Sequence, residues 1–372
     1  VGYDWVESFE IEDGVLYATA ITVTPAEITI EVTTANGGAL TLTLTVTVTD
    51  GIAVDTNLTE AVALDYLTSG TGDTFTLEPT VTKENDPNYN PTLTLEAETA
   101  GIVTINGLTV TAAGKGETEI FVKIEGTTYA TFTVQVTEWV AVDTVAKFFA
   151  IDDSLESLAL NYRLTADLDF ADWCADNYYT PIAVWGNSLE TNGAWFSGVF
   201  DGDGHTLKNI SNVRSLAANS GDQYLGVFGK VSGTVKNFNV INMQMTAGNN
   251  CGTVAHITSG ATLENIYVQA EAAHSGGVTS GGIIAQALSG QAHNETRVKN
   301  VVVDLGDSEI TGTNFRVFVR YNAASKVVFE NCHVISKNCN ATATANGTDT
   351  TTNAYVITND CSAVADCADL GA

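Results

Sequence analysis

The chain has 372 residues, 44 of them acidic and 15 basic, for a formal charge of −29 although only 16% of residues are charged. A field of that sign repels the phosphates of nucleic acid and anionic lipid headgroups, so neither is an expected partner, and it favours solubility and the approach of cations. The length holds two or three domains with cores of their own, and nowhere do about eighteen apolar residues run together as a bilayer span requires.

Residues 1–138 alternate apolar residues with threonine or charge, as in "ALTLTLTVTVT" and "YATFTVQVT". That period of two predicts half-buried strands with threonine on the wet face. The stretch also repeats itself. "EITIEV" near the start matches "EIFVKI" later, the closing strand before Asp50 matches the one before Glu138, and the turn at Asp13-Gly14 matches the turn at Asn106-Gly107. Both dipeptides are strong tight-turn signals. The order "IVTINGLTVTAAGKGETEIFVKIEGTTYATFTVQV" resembles the C-terminal half of a bacterial Ig-like group 2 domain, and Gly51–Ala100 is similar to its N-terminal half. The resemblance covers about ninety residues and implies a spacer or adhesive module on a secreted or surface protein.

The first copy, residues 1–50, has only thirteen residues before its turn glycine Gly14, whereas the second copy, residues 51–138, has a half-sandwich of its own before Gly107. A half-sandwich leaves strand faces and edges unpaired, which is costly and invites pairing with other chains. Three readings stay open: a chain processed or trimmed at Val1, strands donated by a neighbouring copy, and completion by the C-terminal tail. Donation in a head-to-tail arrangement makes an open, heterologous interface that propagates into a filament. The apolar positions expected to carry such assembly are Phe9, Ile11, Ile28, Ile30, Leu40, Leu42, Leu44, Val46 and Val48.

The pattern changes at "TEWVAVDTVAKFFAIDDSLESLALNYRLTADLDF". Asp143 is a candidate N-cap for a short helix with Val145, Phe148, Phe149 and Leu155 on its apolar face. A helix there suits the end cap of a repeat fold. From here "DLDF", "FSGVFDGDGHTLKNI" and "YLGVFGKVSGTVKNFNVINMQM" resemble the GLUG-type repeat of secreted bacterial proteins, with "LGVFG" where that repeat has GLFG. Independently of the resemblance, an asparagine returns in matching context at Asn209, Asn237, Asn265, Asn300 and Asn331, at intervals of 28 to 35 residues. Such a period with strand content between predicts a solenoid. The expected form is a parallel β-helix over residues 139–340 with a ladder of asparagines at one bend, followed by a Thr-rich tail over 341–372.

Catalytic constellations are scarce: no G-x-S-x-G, no H-E-x-x-H and no Walker loop, with the five histidines scattered. Asp167, Asp169, Asp201 and Asp203 are the acids that a β-helix enzyme or a calcium site would use. The repeat pattern accounts for them as turn residues, so no catalytic residue, cofactor or metal is assigned beyond calcium as an option. Sequons outside the repeat asparagines make Asn57, Asn294, Asn340 and Asn346 glycosylation candidates. Six cysteines without zinc spacing lean towards disulfides, with Cys332–Cys339 and Cys361–Cys367 as candidate staples, Cys174 with Cys251 as another pairing, and buried thiols as the alternative. Trp173, Tyr178, Tyr179, Trp185 and Trp195 form a candidate aromatic platform for surface glycans.

The expected protein is thus all-β and extracellular or at the cell surface: Ig-like β-sandwich modules, the first incomplete, then a parallel β-helix with a short helical cap. Its expected function is structural, as a subunit of a head-to-tail filament of copies of itself. A monomeric adhesin or carbohydrate-binding stalk is the alternative, and a polysaccharide-active enzyme the third reading.

Overall fold

The computed structural model describes residues 50–335 apart from 85, 178, 184–194, 212–223, 244–249, 270–279, 282–283, 288–294, 305–318 and 322–326. Outside that span it describes the backbone of six strands, Val6–Glu12, Val15–Ala20, Ala26–Thr33, Ala39–Val46, Tyr355–Thr358 and Ala363–Val364. The protein is all-β, with two short α-helices among the described residues, and it falls into two compact units, one of Val1–Tyr66 with Gly70–Glu138 and one of Leu67–Ser69 with Trp139–Ala372.

In the first unit, Val103–Asn106 and Thr109–Ala112 form an antiparallel hairpin, and Thr74–Thr76 extends it on the outer edge. Its turn glycine, Gly107, has φ +61°, a conformation that glycine adopts without steric cost. A second hairpin joins Gly116–Ile124 to Thr127–Val142, and Leu93–Ala97 pairs with its first strand. The two sheets share one core built from Val103, Val110 and Ala112 on one side and Ile120, Val122, Phe132 and Val134 on the other. The period-two pattern is what creates that core: along Gly116–Ile124 burial alternates, with Thr118, Ile120, Val122 and Ile124 inside. On the wet side Lys123 pairs with the Glu96 carboxylate across the strands.

The repeated segment folds alike. Val6–Glu12 pairs antiparallel with Val15–Ala20, and Ala26–Thr33 with Ala39–Val46, which is the same order of two hairpins. The register sets Ile28 opposite Leu44 and Ile30 opposite Leu42. Among the described strands each of these hairpins pairs only within itself, whereas the hairpins of residues 103–142 have outer partners. Val48 lies outside the described residues.

The second unit is a stack of parallel ladders. Asn161–Leu164, Val199–Asp201, Thr234–Ile241, Thr262–Gln269, Thr296–Asp304 and Val327–Glu330 follow one another side by side, all parallel. A separate ladder runs through Phe228–Val231, Ala255–Thr258, Ile284–Ala287 and Val319–Tyr321. Each repeat of the sequence therefore lays its strands on those of the repeat before it. Inward residues stack in rows: Phe200, Val235, Leu263, Val298 and Phe329 are in register and at most 2% exposed. Leu207, Val240, Val268 and Val303 form a parallel row. Parallel pairing continues beyond residue 340, because Tyr355–Thr358 lies on Val327–Glu330 and Ala363–Val364 on His333–Ile335.

The first rung is covered as a repeat fold requires. The helix Val145–Phe149 inserts Phe148, which packs edge-on to Phe170 and Phe200. Its N-cap is Thr144, one residue after the expected Asp143, since the threonine oxygen accepts from the Lys147 amide while the Asp143 carboxylate pairs with Lys147 Nζ at 2.8 Å. Leu155 was expected on the apolar face but is 78% exposed, because it lies beyond the end of that five-residue helix.

Candidate functional site

The recurrent asparagines sit where each rung turns, and each has a left-handed backbone: φ is 59° at Asn237, 54° at Asn265, 53° at Asn300 and 50° at Asn331. Asparagine tolerates that region better than other residues with a side chain. One left-handed residue inserted in a strand bends it and shifts the alternation by one residue, so Val235 and Phe238 are both buried around Asn237.

The side chains then link rung to rung. Asn331 Nδ2 donates to Asn300 Oδ1 at 2.9 Å, Asn300 to Asn265 at 2.8 Å, Asn265 to Asn237 at 2.8 Å, and Asn237 to Asp201 Oδ1 at 2.9 Å. An amide both donates and accepts, so such a row has a direction and needs an end group at each terminus. The aspartate, which only accepts when ionised, ends one side. At the other, His333 Nε2 lies 2.9 Å from Asn331 Oδ1.

A single row of five asparagines was expected, but the structure makes two rows. Asn209 follows a strand that pairs with Asn239–Ile241, and so it stacks on Asn242, whose Nδ2 donates to it at 2.7 Å. Asn209 in turn donates to Asp169 Oδ1 at 2.8 Å. Both rows thus begin at an aspartate beside the cap. The string "DGDGH" follows from this geometry. Asp201 ends the ladder, and a Cβ on Gly202 would lie 2.2 Å from that of Phe238 in the next rung. Asp203 and Gly204 form the turn with φ 50° and 83°, and His205 Nδ1 meets Asp167 Oδ1 at 3.1 Å.

These aspartates are spoken for by donors of their own chain. The Thr206 amide and His205 hold the Asp167 carboxyl below its ordinary range, and Asn209 with the Ala171 amide does the same at Asp169. At Asp201 burial pushes the carboxyl up, but Asn237, the Asp203 amide and Lys236 more than offset it. Each is a ladder terminus or a turn ligand in this arrangement, and among the described residues no three metal-ligating side chains converge. Asp203, Gly204, Asn237, Asn239 and Asn265 edge a shallow depression over Phe238.

Beside the asparagines runs a row that the sequence reading missed. Arg163, Asp201, Lys236, Glu264, Lys299 and Glu330 occupy one register position in six successive strands, so their charges alternate along the stack. Lys236 Nζ is 3.4 Å from Asp201, and Lys299 Nζ is 3.4 Å from Glu264. The signal was visible in the residue before each repeat asparagine, which reads Lys, Glu, Lys, Glu from Lys236 to Glu330.

The remaining expected site residues divide. Tyr179 is fully buried, its hydroxyl donating to the Val227 carbonyl, and Trp173 stacks on Phe149 at 4.6 Å within the cap. Tyr179 therefore offers no face to a sugar, whereas Trp173 packs against the core while staying partly exposed; Trp195 carries Lys230 over its ring at 5.3 Å. Tyr178 and Trp185 lie outside the described residues. Asn57 is exposed at φ 59°, but its Nδ2 donates to the Glu78 carbonyl at 2.9 Å and meets Thr80 Oγ1 at 3.2 Å, so a glycan there would displace at least one of those bonds. Asn294, Asn340 and Asn346 lie outside the described residues, as do Cys339, Cys361 and Cys367. Cys332 is buried, with Sγ 3.4 Å from the Val298 and Glu330 carbonyls.

No family model matches the chain, and no solved structure matches it. Over 214 residues, 55% of the chain, it is 32% identical to halomucin of Haloquadratum walsbyi, and that stretch makes up 2% of halomucin.

Proposed function

We propose that this chain is a structural segment of an extracellular surface protein, with a parallel β-helix as a stiff spacer and Ig-like modules as the joints. The observation that carries the reading is the asparagine ladder ended by Asp201: polar groups which in an enzyme would face a substrate are hydrogen-bonded to the neighbouring rung. Similarity to part of the much longer halomucin, whose name is that of a mucin, supports the surface setting.

The finer form of the proposal is a head-to-tail filament. Its support is the pairing of Val6–Ala20 and Ala26–Val46, which repeats the later hairpins without outer strands among the described residues. Strands with the pattern of Leu93–Ala97 would complete them by antiparallel addition, supplied by a neighbouring copy. The test is negative-stain electron microscopy of the concentrated chain and of Ile30→Lys/Leu42→Lys. Fibres formed by the parent and lost in the variant are expected. Fibres that persist in the variant, or a parent that stays dispersed, would refute strand donation and leave the spacer reading to the adhesin alternative.

A further inference from the structure

One end of the charge row is engaged within the fold, where Arg163 lies over the Trp139 ring at 4.2 Å. Asp201 has only 9% of its side chain exposed, whereas Lys236, Glu264 and Lys299 have 32%, 30% and 43%, and Glu330 is exposed. Four accessible charges thus follow one another at the rung spacing of about 4.8 Å, in the order positive, negative, positive, negative. Within a chain of net charge −29 this strip is neutral, which makes it a place where a second acidic molecule can approach.

An alternating row with an even number of charges is complementary to itself when turned end for end. Rotated about a two-fold axis between the Glu264 and Lys299 rungs, Lys236 of one copy faces Glu330 of the other, and Glu264 faces Lys299, at all four positions. An isologous contact of this kind closes on itself as a dimer. We propose that two copies of this chain pair laterally and antiparallel through this row. The pairing involves neither the N-terminal hairpins nor strand donation, and so it is independent of the filament. The ion pairs within each chain leave capacity for it, because a lysine ammonium carries three donors and a carboxylate several acceptor sites. A strip four rungs long buries little area, so the contact is a weak one that shows at high protein concentration.

The same arithmetic gives a test. Glu264→Lys turns the row into three positive charges and one negative, and Lys299→Glu gives one positive and three negative. Neither single variant is complementary to itself, but each is complementary to the other at all four positions. Sedimentation equilibrium of the full chain, across chain concentrations and from about 0.15 M salt, where the Debye length is about 8 Å, to about 1 M, should show reversible dimers for the parent. Each single variant should dimerise about tenfold more weakly or not at all, since like charges set face to face oppose association, and their equimolar mixture should restore the parent's dimer. Circular dichroism melts of both variants check that the stack is intact. A parent that is monomeric throughout, single variants that associate as the parent does, or a mixture that fails to recover would each overturn the proposal. Fibres lost in Ile30→Lys/Leu42→Lys with the dimer retained would keep this inference apart from the filament.

Discussion

At Asn265 two separate demands meet on one residue: a left-handed backbone with φ 54° and a side chain that both donates to Asn237 and accepts from Asn300. Glycine meets the first demand and alanine neither. A side chain other than asparagine or aspartate in that region costs about 1–2 kcal/mol, and each amide bond contributes about 0.5–1.5 kcal/mol net, towards the low end here because Asn265 is exposed. Asn265→Gly is therefore expected to destabilise by about 1–2 kcal/mol and Asn265→Ala by about 1 kcal/mol more, read as an ordered pair of melting temperatures. Equal melts would mean that the backbone demand is absent, and a glycine variant as stable as the parent would mean that the ladder contributes nothing. The same logic limits what sequence could reveal. The recurrence of asparagine at Asn237, Asn265, Asn300 and Asn331 is legible as a period, but the role of Asp201 as its end group is not. Asp201 stands one register position before the asparagines and is followed by Gly202 where they would be. Only the pairing of Asp201 with Lys236 across rungs shows which side chain the ladder reaches.

At the scale of strands, periodicity carried most of the fold, because burial and alternation are the same fact seen twice: Ile120, Val122 and Ile124 read as an inward face and are one. The recurrence of whole strings carried the ladder stack, since strings that recur can lie on one another in parallel. What did not show was the splitting of the asparagines, where Asn209 joins Asn242 and not Asn237. That depends on strand pairing between segments about a repeat apart, and local pattern does not encode it. Close packing between rungs adds a demand of its own at the corners. A Cβ on Gly198 would come within 1.9 Å of the Leu160 carbonyl oxygen, and one on Gly233 within 2.1 Å of the Gly198 carbonyl oxygen. Both contacts are to backbone, which cannot rotate away as a side chain can. Gly233→Ala is expected to force apart the strands Val199–Asp201 and Thr234–Ile241 and so to expose the amides of their ladder. Hydrogen exchange should show faster exchange at Thr234, whose amide bonds the Gly198 carbonyl, with protection in Gly116–Ile124 unchanged. Unaltered exchange at Thr234 would show that the corner yields without opening.

For the molecule as a whole, two electrostatic contributions respond to salt in opposite directions. Cross-rung pairs such as Lys299 with Glu264 weaken as salt screens them, but exposed pairs are worth only about 0–1 kcal/mol each. Against them stands the mutual repulsion of a chain carrying 44 acids and 15 bases, which grows with the square of the net charge and is relieved on unfolding. With so few cations available to form pairs, repulsion is the larger of the two. Raising sodium chloride from about 0.01 M to about 1 M shortens the Debye length from about 30 Å to about 3 Å, so the melting temperature should climb, most steeply below about 0.15 M, where the Debye length is still falling through the spacing between charges. A melting temperature that falls with salt would make the charge row a principal source of stability and would reverse the order of the two effects. A rise confined to molar salt, stronger with sulfate than with chloride, would instead point to strengthened apolar burial in the stacked rows of Phe200, Val235 and Leu263. The two causes are thus separated by where along the salt axis the change occurs.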